Sequence, residues 1–287
     1  MHLISYITDN NQKSFAVSDG KGLIDLTEHT GTPIEKLAEA ITLVNNISEE
    51  LVRELKTAPA LPENIKYALP IDAENKVICV GLNYLDHAKE GGFIEAELPK
   101  HPVFFLRLNS SFVTDNENLI LPKVSDKYDY EVELAVVIGR EGRHIKEAEV
   151  QNHIFGYTVG MDGSVRDFQK RTPQWTLGKN FDKSGVLSGN IITKDELPEN
   201  AEGLRITSKL NGNIMQDGNT KNTIYKNDLL ISELSQVMTL NAGDIILTGT
   251  PAGVGFARTP RIFMKAEDII EVEIERVGVL RNKIIAE

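Results

Sequence analysis

Short apolar runs with strand-like alternation, separated by Gly, Pro and Asn, occupy most of the chain from residue 77 onward. Such runs predict β-strands. The clearest are VFFL (103–106), LAVVIG (134–139), IFGYTVG (154–160), DIILTG (244–249) and IIEVEIE (269–275). Few long helical patterns interrupt them, and 229–238 is the clearest. Because helices do not alternate regularly with strands, we expect an α+β, mostly β domain rather than a doubly wound sheet.

The first 70 residues follow a different pattern. Strand-like pieces at 2–8 and 14–17 flank a polar turn, and helical periodicity follows at 33–44 and 48–55. A proline-containing stretch, 58–70, then reads as a linker. The sequence therefore predicts a small N-terminal α/β domain, residues 1–70, followed by a catalytic domain, residues 71–287.

Composition narrows the class of protein. The chain has 287 residues, 41% hydrophobic residues and a net charge of -11, which argues against a nucleic-acid partner. No apolar run approaches the length of a membrane span, and the N-terminus lacks the pattern of a signal peptide. The single cysteine, Cys79, lies in an apolar strand-like run, so no disulfide framework is expected. We therefore expect a cytoplasmic location and no membrane partner.

Three carboxylates occupy alternate positions of the run YDYEVELAVVIG (128–139). Asp129, Glu131 and Glu133 would share one face of a strand that begins acidic and ends apolar on both faces. Such a strand runs from a cleft into a core. Close carboxylates repel one another, and a hard cation such as Mg²⁺ compensates them well. A solvated, acidic strand end is the alternative at this stage.

Two further clusters carry possible chemistry. His87 and Glu90 are three residues apart, which places them side by side on one helical turn, where the carboxylate would orient the imidazole as a general base. A surface pair is the alternative. Asp162 follows an apolar strand and is a further candidate metal ligand, or a helix cap. Nearby donors for a carboxylate or keto oxygen are Arg166, Gln169 and Lys179.

A glycine-rich loop, GTPAGVG (249–255), follows the strand DIILTG. It fits neither a phosphate-binding loop nor a dinucleotide fingerprint. Its backbone amides are candidate donors to an anionic group of a substrate, and a tight turn is the alternative. The chain also lacks the Gly-x-Ser-x-Gly and His-Glu-x-x-His motifs, which argues against the hydrolases that use them.

Six segments, taken together and in order, resemble the fumarylacetoacetate hydrolase superfamily. The resemblance spans roughly residues 75–285 and points to the acylpyruvate hydrolase and 2-hydroxyhepta-2,4-diene-1,7-dioate isomerase-like branch. It implies a mixed β-sandwich roll, a homodimer, and Mg²⁺ or Mn²⁺ in the mouth of the roll. The segments are 78–90, 130–139, 157–169, 178–182, 211–220 and 238–255.

The resemblance also implies roles for individual residues. It assigns metal binding to Glu131, Glu133 and Asp162, catalysis to His87, Glu90 and Lys179, and substrate binding to Arg107, Gln169 and Thr250. His87 and Glu90 would lie on a lid that orders over the substrate, and Asp129 is not among the ligands. The chain departs from the family at Arg107, where lysine is frequent, and at Met161 and Gly163 beside the ligand Asp162.

The activity that this resemblance implies is a divalent-metal-dependent hydrolase acting on carbon–carbon bonds in ketonic substances. The substrate would be a 1,3-diketo acid of the acylpyruvate or fumarylpyruvate type, as in aromatic catabolism. In this hypothesis His87 with Glu90 activates a water, and cleavage passes through a metal-stabilised pyruvate enolate that Lys179 also stabilises.

The same site residues are compatible with other activities. One alternative is an oxaloacetate decarboxylase or keto–enol tautomerase, and another is a hydratase, isomerase or dehydratase acting on a 2-oxo acid. A Schiff-base lyase using Lys179 belongs to a different mechanistic class. A non-catalytic binding protein would keep the fold but has little need for a base pair beside a metal. In each enzymatic case the partner is a small 2-oxo acid.

Overall fold

The computed structural model describes residues 1–62, 64–92 and 99–287. The strands are β1 (His2–Ile7), β2 (Lys13–Ser18), β3 (Leu23–Asp25), β4 (Val77–Gly81), β5 (Val103–Arg107), β6 (Phe112–Val113), β7 (Leu119–Leu121), β8 (Tyr128–Asp129), β9 (Val132–Ile138), β10 (Ile154–Met161), β11 (Ser164–Val165), β12 (Gly185–Leu187), β13 (Asn190–Thr193), β14 (Arg205–Leu210), β15 (Asn213–Asn219), β16 (Ile245–Leu247), β17 (Ile269–Ile274) and β18 (Gly278–Ala286). The α-helices are α1 (Leu26–Thr30), α2 (Leu37–Asn45), α3 (Glu49–Leu55), α4 (Leu85–Glu90), α5 (Arg166–Gln169), α6 (Thr176–Lys179) and α7 (Asn227–Val237).

Most of the described strands belong to two mixed sheets. An 11-stranded sheet follows the order β3-β2-β1-β13-β10-β9-β16-β4-β5, with β12 paired to β10 and β6 paired to β12. A 5-stranded sheet has the order β15-β14-β17-β18-β7, and β11 pairs with β8 separately. Residues from both large sheets share one hydrophobic core. The expected α+β, mostly β architecture is confirmed.

Strand β9 lies between two cores, which explains why it is apolar on both faces. Val132, Leu134 and Val136 pack into the core between the two large sheets. Ala135 and Val137 pack into a second core, on the opposite face. The alternation predicted for this segment is confirmed, and all seven residues of β9 are buried.

The strand predicted across 128–139 is nevertheless interrupted before β9. Residues 128–129 form β8, which pairs with β11, and residues 130–131 belong to neither strand. Side chains take the backbone amides at this point: Tyr130 N donates to Asp129 Oδ1, and Val132 N donates to Gln216 Oε1. These hydrogen bonds replace those of a continuous ladder.

The N-terminal strands extend the 11-stranded sheet. β1 pairs antiparallel with β13, and Leu3, Phe15 and Val17 enter the same core as Ala135 and Val137. Residues 1–70 therefore share a sheet and a core with the rest of the chain. The boundary at residue 70 stays a prediction about independent folding.

The helices agree in place with the sequence patterns, although α2 begins later than residue 33. Ser48 caps α3, where its side chain accepts a hydrogen bond from Leu51 N at 3.1 Å. In the described part of the chain, no helix combines the length and the apolar character that crossing a membrane requires.

Candidate active site

Three buried carboxylates meet where β9 and β10 lie side by side. The antiparallel register places Gly160 opposite Glu133 and Met161 opposite Val132, so Asp162 comes beside Glu131. Asp162 N donates to Glu131 O at 2.9 Å. One oxygen each of Glu131, Glu133 and Asp162 lies within 4.8 Å of the other two. The structure therefore brings together the three residues that the sequence assigns to a metal.

Three cations contact this carboxylate cluster, and two of them, Lys179 and Arg166, bind Glu131. Lys179 Nζ lies 2.7 Å from Glu131 Oε2 and 2.6 Å from Asp162 Oδ2. Arg166 Nη2 lies 2.6 Å from Glu131 Oε1. Burial acts to raise the pKa of Glu131, but the charges of Arg166 and Lys179 outweigh it, so this pKa lies well below its usual range. Glu131 is therefore held as an anion.

Glu133 has a different environment. Within the described ranges, its carboxylate has no lysine or arginine within 4.0 Å and accepts one hydrogen bond, from Gly249 N at 2.8 Å. Burial, and then the charges of Asp162 and Glu131, raise the pKa of Glu133. A divalent cation would supply the missing positive charge, and three carboxylate oxygens suit Mg²⁺ or Mn²⁺. The donor set therefore fits the expected metal.

Asp129 lies outside the cluster. Its Oδ1 accepts from Gly255 N at 2.8 Å, and its Oδ2 accepts from Phe256 N at 2.9 Å and Arg166 Nε at 2.8 Å. Asp129 does not join the cluster, in agreement with the ligand set that the resemblance implies. β8 ends between Asp129 and Glu131, and backbone amides and Arg166 already satisfy the Asp129 carboxylate. Asp129 instead anchors the loop after β16 and fixes the Arg166 side chain.

His87 and Glu90 form the expected pair on α4. His87 Nδ1 lies 2.8 Å from Glu90 Oε1, and Glu90 Oε2 accepts from Gly253 N at 2.8 Å. The carboxylate therefore fixes one ring nitrogen and leaves Nε2 for other partners. His87 lines the cavity that also contains the carboxylate cluster. Its role as a base stays a prediction.

A cavity of about 350 Å³ joins these groups. Two glycines allow its walls to approach closely. A Cβ atom on Gly81 would lie 2.1 Å from the ring of Trp175, and one on Gly178 would lie 2.4 Å from the backbone of Gln169. The lining includes His87, Phe105, Glu131, Glu133, Asp162, Arg166, Gln169, Lys170, Trp175, Lys179, Thr250 and Phe256.

Gln169 and Thr250 both line the cavity, and their existing hydrogen bonds leave them as donors. Gln169 Oε1 accepts from Arg166 Nη1 at 3.0 Å, which leaves the amide NH₂ group. Thr250 Oγ1 accepts from Gln216 Nε2 at 2.7 Å, so its own proton is available to a ligand. This polarity suits a ligand rich in oxygen acceptors. Their assignment to substrate binding stays a prediction.

Arg107 does not fit its expected role in substrate binding. It is 3% exposed and does not line the cavity. Its Nη1 lies 2.5 Å from Asp162 Oδ1, and its Nη2 donates to Ser184 Oγ at 2.8 Å. Arg107 therefore positions Asp162 from behind. The neighbouring Gly163 is required by space, because a Cβ atom there would lie 1.7 Å from Ser184 O.

The amides of the glycine-rich loop are also used differently from the expectation. Gly249 N donates to Glu133, Gly253 N to Glu90 and Gly255 N to Asp129. These amides therefore bind carboxylates of the protein rather than an anionic group of a substrate. The loop holds a metal-ligand candidate, the base pair and Asp129 in one arrangement.

Sequence reasoning assigned no role to Gln216, which is fully buried in β15. Its Oε1 accepts from Val132 N at 3.1 Å and Ser208 Oγ at 2.9 Å, while its Nε2 donates to Thr250 Oγ1 and Pro251 O. It thus links the ligand strand to the loop. Gln216 lies in the segment 211–220, which indicated the family but did not indicate that Gln216 links the ligand strand to the loop.

Comparison with known proteins gives the family. The fumarylacetoacetate (FAA) hydrolase C-terminal domain matches residues 76–285. The chain belongs to the fumarylacetoacetate hydrolase family. This match covers the described carboxylate cluster, the base pair and the cavity, and family membership supports an enzymatic role. The family inferred from the ordered segments is therefore confirmed.

Relatives within the fumarylacetoacetate hydrolase family cover nearly the whole chain. The mitochondrial oxaloacetate tautomerase FAHD2A of Bos taurus is 40% identical over 271 residues, which are 93% of this chain and 85% of that protein. The solved fumarylacetoacetate hydrolase of Exiguobacterium antarcticum is 31% identical, with a TM-score of 0.86 and 100% of both chains covered. A 2-hydroxyhepta-2,4-diene-1,7-dioate isomerase from Mycobacterium marinum is 28% identical, with a TM-score of 0.74, covering 100% of this chain and 99% of that one.

The expected cytoplasmic location is contradicted. Relatives from Bos taurus, Rattus norvegicus, Homo sapiens and Xenopus laevis in the fumarylacetoacetate hydrolase family carry the word mitochondrial in their names. A single unpaired cysteine and the lack of a signal-peptide pattern do not distinguish the cytoplasm from other reducing compartments.

Proposed function

We propose that this protein is a divalent-metal-dependent oxaloacetate tautomerase, which interconverts the keto and enol forms of oxaloacetate. The supporting observation is that His87 and the carboxylate cluster line one cavity. Relatives that cover most of the chain are named oxaloacetate tautomerases. The cavity suits either reaction, and the names of these relatives favour tautomerisation over the carbon–carbon hydrolysis expected from the sequence.

The reaction moves one proton between carbon and oxygen. In the keto-to-enol direction the C3–H bond breaks, its electron pair forms the C2=C3 double bond, and the C2 oxygen gains a proton. A bound divalent cation supplies Lewis-acid polarisation of the 2-oxo group. Glu131, Glu133 and Asp162 would hold that cation. No water is consumed and no carbon–carbon bond breaks.

His87 carries the proton in this proposal. Its Nε2 accepts the proton from C3, while Glu90 keeps Nδ1 fixed and stabilises the imidazolium. The ammonium group of Lys179 stabilises negative charge that develops on the substrate oxygen. Gln169 and Thr250 donate hydrogen bonds that orient the substrate. The imidazolium then returns the proton to the C2 oxygen.

The proposal is tested with protein stripped by EDTA and reloaded with Mg²⁺ or Mn²⁺. Enol oxaloacetate is supplied, and the keto form is read by coupled, NADH-dependent reduction. We expect metal-restored conversion that His87→Asn reduces at least about a hundredfold, as loss of a general base does. The matched control is His144→Asn, because His144 is exposed and does not line the cavity. Full activity of His87→Asn would remove the assigned role.

Parallel substrates separate the alternatives. Acetylpyruvate and fumarylpyruvate test carbon–carbon hydrolysis, and release of pyruvate from oxaloacetate tests decarboxylation. Metal-dependent pyruvate formation from the diketo acids, without conversion of enol oxaloacetate, would replace tautomerase by hydrolase. Trapping of pyruvate on the protein by borohydride would instead indicate a Schiff-base lyase using Lys179.

A further inference from the structure

Three cations surround one aromatic ring of the cavity. The Nζ of Lys170 lies 3.5 Å from the centroid of the Phe256 ring, and the guanidinium groups of Arg166 and Arg261 lie at 5.5 Å and 5.6 Å. We call Arg166, Lys170 and Arg261 the cationic rim. This concentration of positive charge occurs in a protein whose net charge is -11. It therefore marks a place where an anion would be stabilised.

Arg166 and Lys170 both line the cavity, but they differ in their bonding partners. Arg166 is held by Asp129, Glu131 and Gln169. Lys170 is exposed and, across the residues that the structure describes, has no carboxylate oxygen within 4.0 Å. Arg261 is exposed but does not line the cavity. The ammonium group of Lys170 is therefore the cavity-lining member of the rim that is available to a ligand.

The surroundings of Lys170 favour an anionic ligand. Partial burial, and then the charges of Arg166 and Arg261, lower the pKa of Lys170. A carboxylate beside Nζ would offset that repulsion and form a charge-assisted hydrogen bond. The aromatic face of Phe256 holds the ammonium group near the cavity wall. A ligand with an uncharged tail would neither form that hydrogen bond nor offset the repulsion between the cations.

The position of Lys170 suits the far end of a short ligand. Lys170 directly follows Gln169, the last residue of α5, and lines the same cavity of about 350 Å³ as the carboxylate cluster. Glu131, Glu133 and Asp162 would hold a metal whose charge would offset that of the 2-oxo acid end of a ligand. A second negative charge at the other end requires a cation of its own, and Lys170 supplies it.

We propose that Lys170 determines specificity by binding the distal carboxylate of a short 2-oxo dicarboxylate. The inference rests on the proposed function and gives the substrate class of the same site: short 2-oxo acids that carry a carboxylate at both ends. Monocarboxylic 2-oxo acids would bind through the 2-oxo acid end alone, so they would be poor ligands.

A pair of unreactive ligands tests this directly. Malate and 2-hydroxybutyrate share a 2-hydroxy acid end and differ by a carboxylate in place of a methyl group. Binding to the Mg²⁺-loaded protein is measured by titration calorimetry. We expect malate to bind at least about tenfold more tightly, in keeping with a charge-assisted hydrogen bond. Equal affinities, or no binding of malate, would overturn the proposal.

Variants assign the preference to Lys170. Lys170→Met is expected to reduce malate affinity about tenfold and to leave 2-hydroxybutyrate unchanged, whereas Lys170→Arg retains the preference. Arg171→Met is the matched control, because Arg171 is exposed, stacks on Phe168 at 3.4 Å and does not line the cavity. An equal loss in Arg171→Met would indicate a general charge effect and contradict direct binding.

The same proteins separate this inference from the proposed function. If the preference for malate depends on Lys170 but enol oxaloacetate is not converted, the carboxylate site stands and the tautomerase proposal fails. If enol oxaloacetate is converted but Lys170→Met leaves the KM for oxaloacetate and the preference for malate unchanged, the tautomerase proposal stands and the carboxylate site at Lys170 fails. Thermal unfolding of each variant excludes loss of folding as a cause.

Discussion

Gln216 uses both ends of its amide to join segments that are far apart in sequence. The carbonyl oxygen accepts from the strand that carries Glu131 and Glu133, and the NH₂ group donates to Thr250 and Pro251. A buried side chain that satisfies all its partners fixes their relative positions. Gln216 thereby sets which way the Thr250 hydroxyl can donate.

We expect Gln216→Glu to lower both stability and metal affinity. The carboxylate loses two donors and adds a buried negative charge near Glu131 and Glu133. A decrease of about 2–4 kcal/mol in the free energy of unfolding is expected. Urea unfolding and Mn²⁺ titration measure the two effects. Gln12→Glu, on an exposed turn, provides the control, and an equal effect there would contradict the assignment.

Asp115 predicts a pH dependence of stability away from the cavity. Burial raises its pKa, although Gly189 N donates to it at 3.1 Å. Because the pKa is higher in the folded than in the unfolded state, the favourable contribution is present at low pH and is lost as pH rises through the folded pKa.

The stability of the protein relative to Asp115→Asn should therefore fall as pH rises from about 4, the unfolded pKa, through the raised pKa of folded Asp115. Each unit of that shift corresponds to about 1.4 kcal/mol. Denaturant unfolding at several pH values gives this difference. A difference that stays constant with pH would show that the carboxyl group has the same pKa in both states.

The sequence identified individual residues when their chemistry was local. His87 and Glu90 meet because they lie three positions apart on one helix. Arg107 was misassigned because its partner, Asp162, lies 55 positions away and binds the guanidinium outside the cavity lining. Its charge and its place after a strand contained no information about that partner.

At the level of elements, close contact between strands sets the geometry of the metal-ligand candidates. The turn from β10 to β11 passes so close to Ser184 that position 163 has no room for a side chain. The carboxylate of Asp162, immediately before it, depends on that path. Metal affinity should therefore respond to packing at a residue that is not a ligand.

Gly163→Ala is expected to weaken Mn²⁺ binding and to lower the free energy of unfolding by about 1–3 kcal/mol, because the added methyl group displaces the turn. Gly203→Ala is the comparison, since Gly203 has φ +85° but no atom within 4 Å of an added Cβ. We expect Gly203→Ala to lower the free energy of unfolding and to leave the affinity for Mn²⁺ unchanged. Unchanged metal affinity in Gly163→Ala would contradict the dependence.

Strand positions were largely predictable because burial on both faces leaves long apolar runs. The interruption at 130–131 was not, because it depends on Gln216, which comes from β15. Hydrophobic patterns report which residues are buried, but they do not report which backbone amides a distant side chain will bind.

For the whole molecule, the buried charges of the site oppose folding until a cation is present. Glu133 accepts a hydrogen bond only from the Gly249 amide in the described structure, and burial and the neighbouring carboxylates raise its pKa. A ligand that binds the folded state alone stabilises it by an amount that rises with the logarithm of its free concentration relative to Kd. The melting temperature should therefore respond to metal.

Mg²⁺ or Mn²⁺ at about a hundredfold excess over Kd should stabilise the EDTA-stripped protein by about 2–3 kcal/mol. Glu133→Gln should be more stable than the stripped protein and should lose this increase, because it removes the uncompensated charge. Glu141→Gln, at an exposed site, is the control. A metal-induced shift retained by Glu133→Gln would exclude Glu133 as a ligand.

The shared sheet makes a second prediction about the whole chain. A chain of residues 71–287 exposes the edge of β13 and the core face beneath Leu3, Phe15 and Val17. We expect it to lack a cooperative thermal transition, measured by circular dichroism against the full chain. A cooperative transition would instead establish residue 71 as the start of an independently folding domain. Composition and turn residues predicted a boundary at residue 70, but neither of them shows which strands pair.

Glu90 shares one carboxylate between His87 and the backbone of Gly253. The group that aligns the imidazole is thus the group that fastens α4 to the loop beside the cavity. His87 and Glu90 both belong to α4, so a movement of α4 would carry the aligned pair away from the loop as one unit. The imidazole would keep its carboxylate partner and lose its place in the cavity wall. The hydrogen bond from Gly253 N to Glu90 Oε2 therefore contributes to the distance between the base and the carboxylate cluster, rather than to the alignment of the ring.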